Sequence, residues 1–139
     1  MARDALSQIE AFAPGAYEGL ARHGIRSTRE LLAEAYLPAA RSALARRVGI
    51  DTDVLEGCLR ILDLARIDGI GTCHARLLVE AGVDDVRDLA RRRPSKLALS
   101  LERANRRARI CGHTPRHATV SRWITAARDL PPALETAPR

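Results

Sequence analysis

The stretch best suited to chemistry is a tight connection with two glycines, Gly69-Ile70-Gly71, followed directly by Thr72. Glycine permits the positive-φ backbone that a tight turn needs, and it leaves the neighbouring backbone amides uncovered. The amides at the start of the following helix also carry the positive end of its dipole. Together these donors could hold an anion such as a nucleic-acid phosphate. The alternative is a turn that only packs against protein, with Thr72 capping its own helix.

A second candidate hairpin covers 110–114, in the most basic part of the chain. An anion held by the Gly112 amide would lie near the arginines on either side. The alternative is a solvated loop whose arginines stabilise the carbonyl end of the preceding helix. Across both hairpins, the residues that we predict to bind nucleic acid are Gly69, Ile70, Gly71, Thr72, His74, Arg76, Arg106, Arg107, Arg109, Gly112, His113, Thr114, Arg116 and Arg122.

Charge is distributed unevenly along the chain. The net charge is +6, and residues 1–66 contribute none of it, with nine arginines and nine acids. Residues 91–122 carry ten basic residues and one acid, Glu102. A one-sided field of this kind attracts polyanions and speeds their encounter. Generic surface charge in an arginine-rich protein is the alternative explanation.

The corresponding hairpins in the first half, at 11–15 and 48–51, are predicted not to bind. Pro14 has no amide hydrogen to donate, and Phe12 serves as an apolar plug for the core. Asp51 places negative charge where a phosphate would lie. The first half is therefore predicted to be structural or to dock a partner.

The two halves are related by an internal repeat. A shift of 58 positions matches apolar positions and a glycine that follows a helix, which indicates one supersecondary unit used twice. We predict helices over 3–10, 14–24, 28–35, 38–47, 53–66, 73–81, 86–92, 95–109 and 119–129. No stretch alternates apolar and polar residues, so no strand is expected. We predict units at 1–66 and 53–130 that share helix 53–66, and a disordered tail at 131–139.

This pattern resembles the tandem helix-hairpin-helix proteins, whose fold is related to the C-terminal domain of the RNA polymerase alpha subunit. It is most similar to a bacterial family of largely uncharacterised proteins built from two such units. The resemblance covers about residues 5–130 and is most specific over Ile67–Leu89. Relatives that bind DNA well often have Lys or Arg one or two positions after the second glycine, where this chain has Thr72 and Cys73.

The resemblance implies an all-α fold of two tandem helix-hairpin-helix (SAM-like) units of about 60 residues, packed as one compact array around the shared helix. It implies sequence-independent binding of duplex DNA in many relatives and protein–protein roles in others. We therefore predict duplex DNA, or RNA, as the partner of the basic half. The rival hypothesis is an adaptor with no nucleic-acid role, and under either hypothesis a protein partner could dock on the first unit.

The three cysteines do not indicate a disulfide framework. Cys58, Cys73 and Cys111 are widely spaced, so we predict free thiols in a reducing compartment. Zinc-ligand types do occur together, and the candidate ligands are Cys111, His113 and His117 with Cys73 or His74. Nothing in the spacing guarantees tetrahedral convergence, so we predict no metal and no other cofactor.

Other features narrow the function further. Trp123 lies on an apolar helical stripe with Val120, Ile124 and Ala127, which predicts core packing rather than base stacking. No P-loop, HExxH motif or catalytic triad is present, so we predict no enzyme activity. No apolar run reaches the ~20 residues that span a bilayer, and the N-terminus lacks a signal peptide. A cytoplasmic location without a membrane partner is expected.

Overall fold

The fold, seen in a computed structural model that describes residues 5–11 and 13–135, is all-α over those residues. The chain order is a 3₁₀ helix Ala5–Ala11, α1 Ala16–Arg22, α2 Thr28–Glu34, α3 Pro38–Val48, α4 Thr52–Leu64, α5 Thr72–Glu80, α6 Val86–Ala90, α7 Pro94–Ala108 and α8 His117–Asp129. The fold class predicted from the sequence is confirmed.

Helix positions also agree with the prediction, because each predicted bound of α1 to α8 lies within two residues of the observed one. The first element differs, since it is a 3₁₀ helix rather than an α-helix. A 3₁₀ helix has i→i+3 hydrogen bonds and three residues per turn, so it is tighter than an α-helix. Phe12, predicted to be the plug of the first hairpin, lies outside the described residues.

The chain divides into two units. The first comprises Met1–Asp63 together with Ala133–Arg139, and the second comprises Leu64–Pro132. Helix α4 ends at Leu64, so nearly all of the helix that the sequence predicts to be shared lies in the first unit. The chain thus leaves the first unit after α4 and returns to it after α8.

Each unit has an apolar interior. The first unit buries Leu6, Ile9, Leu20, Ile25, Leu31, Leu44, Leu55, Leu59, Leu62 and Leu134 in one cluster. In the second unit, the buried side chains include Ile67, Ile70, Leu77, Leu78, Val83, Leu89, Leu97, Leu101, Val120, Trp123 and Ile124. The predicted core position of Trp123 is confirmed, with 3% of its surface exposed.

Hydrogen bonds at the ends of α1 and α5 match at the 58-residue shift. The Ile25 amide donates to the Leu20 carbonyl at 3.0 Å, and the Val83 amide donates to the Leu78 carbonyl at 2.9 Å. Both helices therefore end in the same backbone geometry, after which the chain turns into a buried apolar residue.

The starts of α2 and α6 match in the same way. The Ser27 hydroxyl accepts the Glu30 amide at 3.1 Å, and the Asp85 carboxylate accepts the Asp88 amide at 2.7 Å. These are the capping pairs that the sequence predicts, and each satisfies an amide that the helix itself leaves unpaired.

Residues 133–135 pack on the first unit, where the sequence predicts a disordered tail. The buried Arg41 guanidinium donates to the carbonyls of Ala35 at 2.7 Å, Tyr36 at 3.0 Å and Glu135 at 2.6 Å. The Glu135 amide donates in turn to the Tyr36 carbonyl at 2.8 Å. Leu134 lies in the apolar cluster. One arginine thus joins the end of α2 to the returning chain.

Replacing Arg41 with alanine should lower the free energy of unfolding by about 2–4 kcal/mol, because buried carbonyls lose their charged donor. Urea unfolding followed by circular dichroism measures the loss. Arg46→Ala is the matched control, since Arg46 lies on the same helix and is exposed. Equal stability of the two variants would contradict this role.

Candidate nucleic-acid interface

The first candidate hairpin is anchored by two isoleucines. Ile67 and Ile70 are buried, and Gly69 between them has φ +91°, which a side chain would strain. The Ile70 amide donates to the Ile67 carbonyl at 3.0 Å and closes the turn. Ile70 was predicted among the binding residues, but its side chain packs in the core and its amide serves the turn. It therefore positions the hairpin and cannot itself donate to a phosphate.

The amides at the start of α5 are open. Gly71 is the N-cap of this helix, and a Cβ added to it would meet nothing within 4 Å. The first amides of a helix have no partner within the helix. Among the described residues, none accepts a hydrogen bond from the amides of Gly71 or Cys73. These two donors are available to an external anion.

The equivalent start of α1 in the first unit already holds an anion. The Glu10 carboxylate accepts the amide of the N-cap Gly15 at 3.0 Å and the amide of Tyr17, the second helical residue, at 2.9 Å. The same two positions of α5 are Gly71 and Cys73. The first hairpin therefore satisfies its own helix start, and the second does not.

The second candidate hairpin begins at an unusual backbone position. Helix α7 ends at Ala108, and Arg109 has φ +51° and ψ +50°, so it is the one residue other than glycine with a positive φ in the described part of the chain. The first unit has Gly49 at the matching helix end, with φ +83°. The internal repeat predicts Ile110-Cys111-Gly112 as the counterpart of Val48-Gly49-Ile50, whereas the structure places the left-handed turn at Arg109.

Asn105 holds the second hairpin against α7. Its side-chain amide donates to the Cys111 carbonyl, and its side-chain carbonyl accepts the Cys111 amide, both at 2.9 Å. The sequence analysis does not identify this residue. An asparagine in the last turn of a helix that leads into a loop is the signal that could have found it, because its side chain competes well for backbone groups.

A disulfide between Cys73 and Cys111 joins the two hairpins, with their Cα atoms 5.8 Å apart. The prediction of free thiols is wrong for this pair, because the fold brings together residues that are 38 positions apart. Beside the bond, the His74 ring lies 6.4 Å from the His113 ring and 5.3 Å from the Trp123 rings, measured between centroids. The two hairpins predicted from the sequence are therefore neighbours in space.

Two of the predicted arginines form exposed ion pairs. Arg106 lies 3.0 Å from Glu102, and Arg107 lies 3.4 Å from Glu80. Ion pairs at exposed positions contribute little free energy, and a polyanion can compete for them. Both arginines therefore remain able to attract nucleic acid.

The other predicted residues differ in exposure. The exposed residues are Gly69, Gly71, Arg109, Gly112, His113, Arg116 and Arg122, and the half-buried ones are Thr72, His74, Arg76 and Thr114. Arg116 is the N-cap residue of α8, and Arg122 on that helix donates to the Thr119 hydroxyl at 3.3 Å. Cationic side chains thus lie on the loop that follows the second hairpin and on the first turns of α8.

Two other classes of feature do not occur in the described ranges, 5–11 and 13–135. No group of three or more His, Cys, Asp or Glu side chains is arranged to hold a metal ion. The disulfide also removes both thiolates from the zinc-ligand set considered above. Over the same ranges, none of the helices has the length and apolar character to cross a bilayer.

These features define an all-α protein with an open helix start beside an arginine-rich hairpin. Residues 11–130 match the family described as "Domain of unknown function (DUF4332)", and the chain belongs to that family. No curated protein matches the chain. No solved structure matches it either.

Acid should weaken the fold through His74, whose pKa lies below 6.5 because of partial burial and, to a smaller extent, the nearby His113. Because the pKa of His74 is lowered in the folded state, the unfolded chain takes up this proton more readily than the folded protein does as the pH falls. The free energy of unfolding of the wild type should therefore fall from pH 7 to pH 5. Chemical denaturation should show a smaller fall for His74→Gln, and the exposed His117→Gln should behave as the wild type does.

Replacing Arg109 with glycine should raise the free energy of unfolding by about 1 kcal/mol, because glycine adopts a positive φ without steric cost. The reciprocal variant Gly49→Arg should lower it by a similar amount. Urea titration measures both changes. A less stable Arg109→Gly variant would mean that the arginine side chain outweighs the backbone strain.

Proposed function

We propose that the second unit binds the phosphate backbone of duplex DNA through hairpins 69–72 and 110–114. The open amides of Gly71 and Cys73 would hold one phosphate, and the surrounding arginines would contact its neighbours. Most contacts would go to the backbone, so binding would show little sequence preference. On this proposal the chain is a cytoplasmic tandem helix-hairpin-helix protein, related in fold to the C-terminal domain of the RNA polymerase alpha subunit, without catalytic activity.

The observation that carries the proposal is the contrast between the starts of α1 and α5. Glu10 satisfies the first amides of α1 with a carboxylate. At the start of α5, the corresponding amides have no internal acceptor among the described residues. A phosphate oxygen has the same acceptor character as the Glu10 carboxylate and also carries negative charge, so a phosphate could bind the start of α5 as Glu10 binds the start of α1.

The surrounding charge favours a polymeric anion over a small one. Residues 91–122 carry ten basic side chains and one acidic one. A single phosphate could use only a few of them, whereas a duplex presents one charge per ~1.7 Å of its axis. The two adjacent hairpins could therefore contact successive phosphates of one groove.

The rival function is a protein adaptor, and one observation favours it. Tyr36 and Leu37, which are neighbours in the first unit, are 44% and 52% exposed, and adjacent exposed apolar side chains are typical of protein–protein contacts. A protein partner could bury them. This role would need neither the open amides nor the basic side chains of the second unit.

An electrophoretic mobility titration with duplex DNA, single-stranded DNA and RNA tests the proposal. The duplex should bind best, and log K should fall linearly with log salt by roughly 0.9 for each phosphate neutralised. Absence of binding at about 50 mM salt, or a flat salt dependence, would reject nucleic-acid binding.

Gly71→Val should weaken duplex binding at least tenfold while the helical circular dichroism stays unchanged. A Cβ added at Gly71 meets nothing within 4 Å in the protein, so the substitution should mainly obstruct an approaching ligand. Gly112→Val is the equivalent change in the second hairpin, and Gly57→Ala on α4 is the matched control, since its added Cβ also meets nothing within 4 Å. An adaptor that binds its partner through Tyr36 and Leu37 would tolerate all three substitutions.

A further inference from the structure

The disulfide lies at the point where the two candidate hairpins meet. Cys73 is the second residue of α5, and Cys111 lies within the second hairpin. Cys73 is exposed and Cys111 is half-buried, so small molecules in solution can reach the pair. Both residues belong to the second unit.

The third cysteine provides an internal contrast. Cys58 is buried in the first unit, and burial raises the pKa of its thiol to about 11. A thiol with that environment stays protonated at neutral pH and reacts slowly. Cys73 by contrast lies in the first turn of a helix, where the dipole stabilises a thiolate.

We propose that Cys73 and Cys111 are a reversible dithiol–disulfide pair that exchanges with a low-molecular-weight disulfide, and that the bond controls how tightly the two hairpins hold DNA. The first part concerns the thiol chemistry alone. The second part rests on the function proposed above.

The exchange proceeds in two balanced steps. The Cys73 thiol loses its proton, and the thiolate attacks one sulfur of the small disulfide, forming a mixed disulfide and releasing one small thiolate. The Cys111 thiol then loses its proton and attacks the Cys73 sulfur, which releases the second small thiolate. Two protein thiols are oxidised and one small disulfide is reduced. An excess of small thiol reverses both steps.

The disulfide would strengthen DNA binding by holding the backbone amide donors in place before the DNA binds. The Cys73 amide is one of the two open donors of α5, and Asn105 holds the Cys111 backbone against α7. With the bond formed, the first hairpin is tied covalently to the second and so to α7. Less freedom is then lost on binding, so the oxidised protein should bind more tightly than the reduced one.

Thiol titration of the native protein tests the chemistry without DNA. In glutathione buffers of increasing oxidised fraction, the protein should lose two free thiols together, and peptide mass spectrometry should find Cys73 joined to Cys111. Cys58 should react only after unfolding. A persistent glutathione adduct on Cys73, or three thiols that survive every buffer, would overturn the proposal.

Duplex affinity of the oxidised and reduced proteins tests the coupling. We expect the oxidised wild type to bind roughly three- to tenfold more tightly. Cys73→Ser and Cys111→Ser should each lose the redox response and bind with one affinity in both buffers, with unchanged circular dichroism. Cys58→Ala should keep the full redox response, which makes it the matched control.

The outcomes separate the two proposals. If oxidation changes the thiol count but the affinities are equal, or the reduced form binds more tightly, the coupling is wrong and DNA binding stands. If no form binds DNA while the thiols still pair, the proposed function fails and the redox pair remains. Thiols that do not pair reject this inference whatever the affinity.

Discussion

A helix that begins at an exposed turn leaves its first amides without partners, and this constraint governs both halves of the molecule. The first unit resolves it internally, because the Glu10 side chain reaches the N-cap and second amides of α1. The second unit has Asp68 after its buried isoleucine, one methylene shorter, and no described side chain accepts from the Gly71 amide. The first amides of the helix therefore have an internal acceptor in the first unit, at α1, and none among the described residues in the second unit, at α5.

The two hairpins of the second unit are held in place by core packing and hydrogen bonds. Ile70 anchors one hairpin in the core, and Asn105 fixes the other with two hydrogen bonds. Arg109 has a strained backbone conformation at the end of α7, and Gly49 occupies the equivalent position at the end of α3 in the first unit. Strain that persists in a surface loop is often connected with function, and here the strained residue is an exposed arginine directly before the second hairpin.

The sequence predicts what depends on local periodicity and capping. The helix bounds, the cap at Asp85 and the core position of Trp123 follow from residues close together in the chain. The disulfide partner of Cys73 does not, because it is set by how two distant loops meet. Glu10 has no sequence feature that distinguishes it from other surface acids, because its hydrogen bonds to the start of α1 depend on how the backbone folds. A hydrogen bond between a side chain and a backbone group outside its own helix produces no periodic pattern in the sequence.

The connectivity of the two units has a consequence for biosynthesis. Residues 133–135, which complete the first unit through Leu134 and Glu135, are translated after every residue of the second unit. Domains generally fold as they leave the ribosome. The first unit therefore cannot complete its apolar cluster until the whole second unit has been translated.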